Sequence, residues 1–266
     1  MAERTPYAFG RVLMPWVLPG GFLLVWFLIS ATGVIPAYLL PPPGEIVRAA
    51  ASYIFGEPGS APYAGRFFAD FCASGLRVLS GFSLAVVVAL PLGILSGRIA
   101  YLQRMLGTSI NGLRAVPGIC WLPLAMVWFG IGLKTTIFLV ALAAFFPIYL
   151  NTEAGARQVN PLLLQAGAMM GVRRVRGTFA VLLPAAMPHI MTGLRLGLGI
   201  SWAYLVLGEL TGVPNGLGAV IMDARMLGRI DIIVVGIILI ALIGRLSDTG
   251  LHWLLRTCFK SARRTA

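Results

Sequence analysis

The amino-acid sequence predicts an all-α integral membrane protein with six transmembrane helices and a short cytoplasmic helix. The composition supports this class, because 58% of the 266 residues are hydrophobic and the mean hydropathy is +0.88. Only 11% are charged, under half of the roughly one quarter that is usual in soluble domains. A soluble fold of this length cannot bury so much apolar surface. The composition therefore excludes a soluble enzyme, a disordered chain and a secreted disulfide scaffold.

Stretches long enough to cross a bilayer recur along the chain. About 18 or more apolar residues in helical form cross a hydrocarbon core of roughly 30 Å. Four stretches meet this condition without a charge, and two more meet it with two charges each. The six predicted spans cover residues 16–35, 78–97, 115–133, 135–152, 189–210 and 232–254.

The fifth span is predicted to begin only at about His189. The charge-free run 177–194 contains Pro184 and Pro188, and two prolines four residues apart remove helix hydrogen bonds and clash with the preceding turn. The first part of this run is therefore predicted to be a loop, and the helix is expected to continue to about Leu210.

The sixth span has to extend through two charges, because the charge-free run 232–244 is too short to cross a bilayer. Arg245 and Asp248 lie three residues apart on one helix face, where they can neutralise each other near the membrane boundary. The span is therefore predicted to reach about Leu254. All six spans are expected to form one transmembrane domain over residues 1–266.

The distribution of charge predicts that both termini are cytoplasmic. With the N-terminus inside, the inner segments hold 13 basic and two acidic residues, whereas the outer segments hold six basic and five acidic residues. Six spans satisfy the positive-inside rule, while seven would place the basic C-terminal tail outside. The net charge of +12 therefore indicates topology and not nucleic-acid binding. One predicted inner segment carries Arg98, Arg104 and Arg114.

Neither a cleavable signal peptide nor a metal or disulfide site is predicted. The first apolar run lacks a small-residue cleavage site and begins the first span directly. Cys72, Cys120 and Cys258 are odd in number and unpaired in spacing, so no disulfide framework or metal site follows from them.

The longest inner segment is predicted to contain a short amphipathic helix over about residues 161–171. Asn160 followed by Pro161 is typical of a helix start, and Gly171 is typical of a helix stop. A helix of about ten residues is marginal alone, so it needs a surface to dock against. The alternative interpretation is a helix that lies on the inner leaflet of the membrane.

A spaced pattern extends from this helix toward the next span. The chain has Gln165-Ala166-Gly167, three residues, Gly171, nine residues, and then Val181-Leu182-Leu183-Pro184. This is similar to the inner-loop signature Glu-Ala-Ala, three residues, Gly, nine residues, Ile-x-Leu-Pro of the permease subunits of type I ATP-binding-cassette importers. Gln replaces the first residue of that signature, and Gly replaces the third. The resemblance implies a coupling helix that docks on an ATPase subunit, with the residues Leu164, Gln165, Ala166, Gly167, Met170, Gly171, Leu183 and Pro184.

Further motifs of this family follow in order over about residues 10–256. They include Arg77-Val-Leu-Ser-Gly-Phe82, Trp128-Phe-Gly-Ile-Gly132, Phe146-Pro-Ile-Tyr149 and Thr192-Gly-Leu-Arg195. The ordered set resembles the nitrate, sulfonate and taurine branch of the family, and aliphatic-sulfonate permeases most of all. The resemblance implies transport of a small anionic solute, foremost an aliphatic sulfonate. Taurine, nitrate and a pyrimidine precursor are the alternatives.

The resemblance also implies partners. They are cytoplasmic ATPase subunits, a second permease copy that forms a homodimer, and a periplasmic or lipid-anchored solute-binding protein. The chain has no Gly-x-x-x-x-Gly-Lys-Ser/Thr motif, so ATP and Mg²⁺ are expected on the separate ATPase subunit and the chain itself is not expected to be an enzyme. The expected location is the bacterial inner membrane, in contact with lipid.

Aromatic residues of the spans are candidates for the wall of a translocation pathway. Trp121 and Trp128 are seven residues apart and share a helix face, and Pro117 and Pro123 loosen that helix. Ser201 and Trp202 are further candidates. Anchoring at the membrane interface is the alternative role for the tryptophans. The complete predicted pathway set is Trp121, Trp128, Arg195, Ser201, Trp202 and Glu209.

The two charged members of this set have alternative roles as well. Arg195 can attract an anionic solute, or its side chain can extend to the inner headgroups. Glu209 is expected near the outer end of its span, where it can cap a helix or pair with Arg225 or Arg229. A stripe of small residues on the same span is predicted to allow close helix packing. It comprises Gly193, Gly197 and Gly199.

Two other classes of protein are open at the level of sequence. An ion-coupled secondary carrier should show paired intramembrane carboxylates or inverted repeats. Glu209 and Asp248 lie at predicted span ends, and no repeat is visible. An intramembrane enzyme should show clustered His, Asp or Glu, whereas His189 and His252 are scattered.

Overall fold

The computed structural model of the chain describes residues 7–36 and 38–258. Arg4, Lys260, Arg263 and Arg264, which contribute to the prediction of cytoplasmic termini, lie outside these residues. The described part of the chain is helical and contains no β-strand. Its α-helices are α1 (Tyr7–Thr32), α2 (Pro43–Phe55), α3 (Phe67–Arg98), α4 (Ala100–Ala115), α5 (Trp121–Phe129), α6 (Leu133–Gln158), α7 (Pro161–Met169), α8 (Arg174–Gly177), α9 (Leu183–Glu209), α10 (Leu217–Met226) and α11 (Ile230–Cys258).

Contacts divide the described chain into two compact units. The smaller unit contains the residues up to Arg66 together with Asp223–Val235. The larger unit contains Phe67–Met222 and the residues from Gly236 onward. In the larger unit α6 packs against both α3 and α9, and the buried apolar side chains of these three helices form most of the hydrophobic core.

Four helical stretches of the described residues are long and apolar enough to cross a membrane. They are Phe67–Arg98, Leu133–Gln158, Thr178–Glu209 and Ile230–Thr257. The helices Ala100–Ala115 and Gly118–Phe129 meet the same condition only as a pair bent by 84°. The apolar helix Val17–Thr32 is shorter. The described residues thus contain four such spans, or five with the bent pair, and the count of six stays a prediction.

The predicted third span, residues 115–133, is not one straight helix. After α4 ends, Val116 is extended with φ −73° and ψ 120°, and a 3₁₀ turn over Gly118–Cys120 leads into α5. Pro117 explains the break, because it lacks an N–H and disfavours helical dihedrals at the residue before it. The predicted inner segment that carries Arg104 and Arg114 is therefore a helix, α4.

The stretch before Pro188, which the sequence predicts to be a loop, is helical. A π turn over Thr178–Leu182 continues directly into α9, so the apolar helical stretch begins well before His189. Local π turns and neighbouring helices accommodate prolines in membrane helices. This explains why Pro184, in the first turn of α9, and Pro188 do not interrupt the helix.

Glycines let α6 approach its two neighbours closely. A Cβ at Gly93 of α3 would lie 2.8 Å from the Thr152 side chain, and one at Gly197 of α9 would lie 2.9 Å from an isoleucine of α6. Gly193 has the same role on α9, with 2.8 Å to an asparagine. Gly199, predicted to act in the same way, has open space around its Cβ position. Small residues at helix crossings are the usual means of close packing in membranes.

Candidate functional site

The segment that resembles a coupling helix forms α7, which begins with two local signals. The Asn160 side chain accepts a hydrogen bond from the Leu162 backbone N–H at 2.9 Å, and Pro161 lies in the first turn. An asparagine cap satisfies a backbone donor that has no helical partner, and proline fits the first turn because it lacks that donor. The sequence therefore fixes the start of α7 within three residues.

The end of α7 is a Schellman motif around Gly171. This residue has φ +82°, and its N–H donates to the Ala168 carbonyl at 3.0 Å. The N–H of Val172 donates to the Gly167 carbonyl, also at 3.0 Å. The motif provides hydrogen bonds for two terminal carbonyls and requires a residue in the left-handed backbone conformation. Glycine adopts this conformation at no steric cost, because it has no Cβ. The helix stop lies where the sequence predicts it.

The outward surface of α7 is apolar and exposed. Leu162, Met169 and Met170 are 66%, 85% and 77% exposed, and Gln165 and Ala166 are exposed beside them. Contiguous exposed apolar surface on a protein commonly marks a contact with another molecule. This surface of α7 is therefore a candidate docking surface.

The opposite side of α7 packs toward the transmembrane core. Gly167 is buried, and a Cβ there would lie 3.4 Å from the side chain of Val181. Leu164 packs against the hydrophobic core and lines an apolar groove of about 930 Å³ together with Leu183. Pro184 is exposed. Two of the predicted coupling residues thus line one groove, and Pro184 is not among its lining residues.

A second cavity, of about 400 Å³, lies beside the break between α4 and α5. Trp121, a member of the predicted pathway set, is one of its lining residues. Arg114, Asn151 and Tyr204, which the sequence did not single out, line it as well. The rest of the wall is mainly apolar and includes Leu142, Ala143, Phe146, Pro147, Leu150 and Ile200.

Three other members of the predicted pathway set make contacts of a different kind. Trp128 is 54% exposed and makes edge-to-face contacts with two phenylalanine rings. Ser201 is buried, and its hydroxyl donates to a carbonyl of its own helix. Trp202 is buried, and its indole N–H donates to the Ser247 hydroxyl at 2.9 Å. Trp202 thus joins α9 to α11.

Arg195 forms a bidentate ion pair with Asp248 of α11, with both hydrogen bonds at 2.8 Å. Parallel hydrogen bonds between a guanidinium and a carboxylate are strong and directional. Arg245, which the sequence pairs with Asp248, lies 3.5 Å from the same carboxylate and is the weaker partner. The pair between α9 and α11 is a third role for Arg195, beside the pathway and the headgroups.

Glu209 is completely buried at the centre of a polar network. The guanidinium of Arg77 donates to its carboxylate, Ser74 donates at 2.7 Å, and the backbone N–H of Gly218 donates at 2.7 Å. The expected pairing of Glu209 with Arg225 or Arg229 is therefore wrong. The partner, Arg77, lies on α3, which is distant in sequence, and the charges near Glu209 in the chain do not indicate it.

The same network holds the loop after α9. Arg77 donates to the backbone carbonyl of Asn215 at 2.7 Å and to its side-chain oxygen at 2.6 Å. The Asp70 carboxylate accepts a hydrogen bond from the Gly216 N–H at 2.9 Å. Asp70, Ser74 and Arg77 lie at helical spacing on one face of α3. That row of polar residues in an apolar helix is the signal that could have identified the network.

In the smaller unit, Arg229 pairs with Asp231 through hydrogen bonds of 3.0 Å and 2.7 Å. The hydrogen bond to this carboxylate raises the pKa of Arg229 above its ordinary value. Burial raises the pKa of the nearby Tyr63 hydroxyl. Arg229 and Asp231 line a cavity of about 240 Å³ together with Glu45.

Helices of bilayer length that pack against α6, with the short capped helix α7 between α6 and α9 in the chain, are the arrangement of an integral membrane protein. Residues 89–258 match the family described as "Binding-protein-dependent transport system inner membrane component", and the chain belongs to this family. It is the permease subunit of an ATP-binding-cassette importer. The family is one of transport permeases and not of enzymes.

Curated relatives are similar over most of both chains. The chain is 35% identical over 263 residues to the putative aliphatic sulfonates transport permease protein SsuC of Bacillus subtilis, covering 97% of this chain and 92% of that protein. It is 37% identical over 242 residues to the protein of the same name from Escherichia coli, covering 91% and 89%. The taurine transport system permease protein TauC of Escherichia coli is 33% identical over 234 residues, covering 88% and 84%. These names confirm the nitrate, sulfonate and taurine branch.

The fold is similar to that of a solved importer. A chain of the MetNI methionine ABC transporter, in an inward-facing conformation, matches with a TM-score of 0.63 at 20% sequence identity. The match covers 71% of this chain and 94% of that chain. The predicted type I importer permease fold is therefore confirmed.

Proposed function

We propose that this permease subunit forms the translocation path for a small organic anion, and that the anion is an aliphatic sulfonate. The observation that carries the proposal is the similarity to two proteins named as aliphatic sulfonates transport permeases, over nearly the full length of each. The cavity beside the broken span supports an anion, because its described lining includes Arg114 and no carboxylate. Taurine is the foremost alternative, followed by nitrate and a pyrimidine precursor.

The exposed face of α7 is proposed to dock on a cytoplasmic ATPase subunit that binds ATP and Mg²⁺. Three observations support this docking: the apolar exposure of Leu162, Met169 and Met170, the caps at both ends of the helix, and the match of the spacing to the family signature. The Glu of that signature is Gln165 here, which is exposed and uncharged. The contact is therefore expected to depend on apolar packing more than on an ionic bond.

Force from the ATPase would reach the membrane through α7. Leu164 packs against the hydrophobic core, and Gly167 is buried close to Val181 of the π turn. Closure of two ATPase subunits would therefore move α7 together with α9 and the core helices as a rigid lever. Such rigid-body motions convert an inward-open path into an outward-open path.

The complete importer is proposed to contain two copies of this chain and a solute-binding protein. A second copy would enclose the path, with the cavity beside the broken span facing it. A periplasmic or lipid-anchored binding protein would deliver the solute to the outer loops, whose predicted net charge is near neutral. Both termini and α7 would lie in the cytoplasm of a bacterium, at its inner membrane.

Complementation of uptake tests the proposed solute. A bacterium that lacks its own sulfonate and taurine importers receives this chain with the ATPase and binding protein encoded beside it. We expect accumulation of ³⁵S-labelled ethanesulfonate that stops when the ATPase is inactivated. Accumulation of labelled taurine alone would replace the sulfonate assignment with the taurine alternative, and accumulation of neither would refute the proposed function.

A further inference from the structure

The break at Pro117 brings four polar side chains to one cavity in the larger unit. These are Arg114, Trp121, Asn151 and Tyr204. We propose that this cavity is the solute-binding site of the permease, and that Arg114 binds the anionic group. The inference rests on the proposed function and adds to it the residues and the class of ligand, a small organic anion with an apolar portion.

All four polar side chains can donate hydrogen bonds, through a guanidinium, an indole N–H, an amide and a hydroxyl. Within the described part of the chain, the side chains of Arg114, Trp121 and Tyr204 make no hydrogen bond or ion pair. The Asn151 amide donates once, to the Pro147 carbonyl at 2.8 Å, and has a second N–H. A permanent cation with unused donors beside it binds an anion and repels a cation.

The cavity lies against the middle of α6. Its wall on α6 runs from Leu142 to Asn151, at the centre of a helix that spans Leu133–Gln158. With a rise of about 1.5 Å per residue, Asn151 lies about 10 Å from the C-terminal end of α6. Many transporters form their binding sites at broken helices.

The remaining wall favours a solute with an apolar portion. Phe146, Leu150 and Ile200 contribute large apolar side chains, and the volume of about 400 Å³ suits a small ligand. An alkyl group would cover this surface, whereas nitrate would leave it bare. The combined chemistry of the wall therefore fits a short organic sulfonate better than an inorganic anion.

Gly118 and Tyr204 position one donor of this site. A Cβ at Gly118 would overlap the hydroxyl end of the Tyr204 side chain. Only glycine therefore lets the tyrosine lie against the 3₁₀ turn that follows the break at Pro117. The tyrosine hydroxyl is a positioned donor of the cavity.

The rate of uptake tests the role of Arg114. The chain is reconstituted in liposomes with its ATPase, and the uptake of ethanesulfonate is measured with the solute-binding protein loaded with ethanesulfonate and present at a saturating concentration. Under this condition the affinity of the binding protein for the solute does not affect the measured rate. We expect Arg114→Gln to lower the rate about tenfold, and Arg114→Lys to restore part of it because the charge returns without the planar fork. Arg104→Gln is the matched control, because Arg104 and Arg114 are both exposed arginines of α4 but Arg104 does not line the cavity.

Cys120 offers a direct readout of binding. Cys120 is not itself a lining residue, but it is exposed and lies between Gly118 and Trp121, which both line the cavity. Cys72 is also exposed and lies on α3, which contributes no lining residue. The assembled complex is treated with a methanethiosulfonate, and modification at each cysteine is followed by mass spectrometry. Ethanesulfonate should slow modification of Cys120 several-fold and leave Cys72 unaffected. Arg114→Gln should abolish this protection.

Tyr204→Phe provides a second variant that removes a single oxygen and keeps the ring. We expect this variant to weaken the protection of Cys120, because the solute loses a hydrogen-bond donor. If Arg114 served only the fold, removal of the Tyr204 hydroxyl would not change the protection. If both Arg114→Gln and Tyr204→Phe take up ethanesulfonate at the wild-type rate and show wild-type protection of Cys120, the proposed binding site is refuted. The proposed function is not affected by that result. If the wild-type complex takes up neither ethanesulfonate nor taurine, the proposed function fails and the site fails with it.

Discussion

Arg77 of α3 and Glu209 of α9 form an ion pair whose side chains are 7% and 0% exposed, across 132 residues of sequence. The carboxylate also accepts hydrogen bonds from Ser74 and Gly218, so the charge is compensated on several sides. A buried pair of this kind is costly to break, because removal of one partner leaves an uncompensated charge. The pair therefore holds the end of α9 and the loop after it against α3.

Replacement of Arg77 with methionine should destabilise the protein strongly. The substitution leaves the Glu209 carboxylate buried without its cation, at an expected cost of about 3–5 kcal/mol. Thermal unfolding of the purified protein in detergent measures the effect as a fall in Tm. Arg104→Met, at an exposed arginine, is the control and should change Tm little.

The double variant Arg77→Met with Glu209→Gln sharpens this test. It removes both charges, so it should recover part of the Tm lost in Arg77→Met, and the cycle of four proteins gives the coupling between the two residues. Equal Tm values for Arg77→Met and Arg104→Met would show that the pair contributes nothing to stability.

Gly171→Ala should weaken the end of α7 and with it ATP-driven uptake. The residue has φ +82° and open space around its Cβ position, so the penalty of about 1–2 kcal/mol is conformational and not steric. Uptake should fall severalfold while the amount of protein in the membrane stays constant. Deletion of residues 164–167 should abolish uptake altogether.

Gly177→Ala is the control for this prediction. Gly177 lies six residues further along, has φ −61° in the helical region, and has open space around its Cβ position. An alanine there should leave uptake unchanged. Equal uptake by the two alanine variants would argue against a requirement for the Schellman motif in coupling.

The helix α7 shows which features a single sequence can predict. Asn160, Pro161 and Gly171 each act on backbone groups within a few residues, and the structure has the cap, the first-turn proline and the left-handed glycine at those positions. Hydrophobic length is local too, and the predicted spans 78–97 and 135–152 lie within two helices of the structure. Signals that act over one or two helical turns can thus be interpreted correctly from the sequence alone, without knowledge of the tertiary structure.

Features that depend on pairing between distant helices could not be predicted in this way. Proximity in sequence predicts Arg225 or Arg229 as the partner of Glu209, whereas its partner, Arg77, lies on α3. Helical spacing predicts Arg245 as the partner of Asp248, whereas the shorter contacts come from Arg195 on another helix. Charge counting places Arg114 in an inner loop because it assigns arginines to water. The apolar run 115–133 predicts one span that Pro117 loosens, whereas the structure has a complete break after α4.

Arg195 and Asp248 should tolerate exchange better than loss of either charge. The Arg195 side chain is 40% exposed, so solvent screens the pair, and Arg195→Gln or Asp248→Asn should lower Tm less than Arg77→Met does. The exchange Arg195→Asp with Asp248→Arg should regain both stability and uptake if the pair acts as a brace between α9 and α11. Regained Tm without regained uptake would show that the pathway needs the charge at position 195 itself.

Met169→Asp should separate the permease from its ATPase. Met169 is 85% exposed on the surface of α7, beside Met170 and Leu162. A carboxylate at the centre of an apolar contact loses its water and gains no partner, which weakens the binding of the ATPase. The amount of ATPase that copurifies with a tagged chain should therefore fall about tenfold. Quantitative immunoblotting of detergent extracts measures this ratio, with the level of the tagged chain as the reference.

Met226→Asp is the matched control, because that methionine is 73% exposed and belongs to α10. It should retain the ATPase at the wild-type ratio. If Met169→Asp retains the ATPase equally well, α7 is not the ATPase contact and the inner-leaflet alternative gains. Flotation of an α7 peptide with anionic vesicles then decides the matter, since a leaflet-bound helix floats with lipid and loses that property when Met169 is replaced by aspartate.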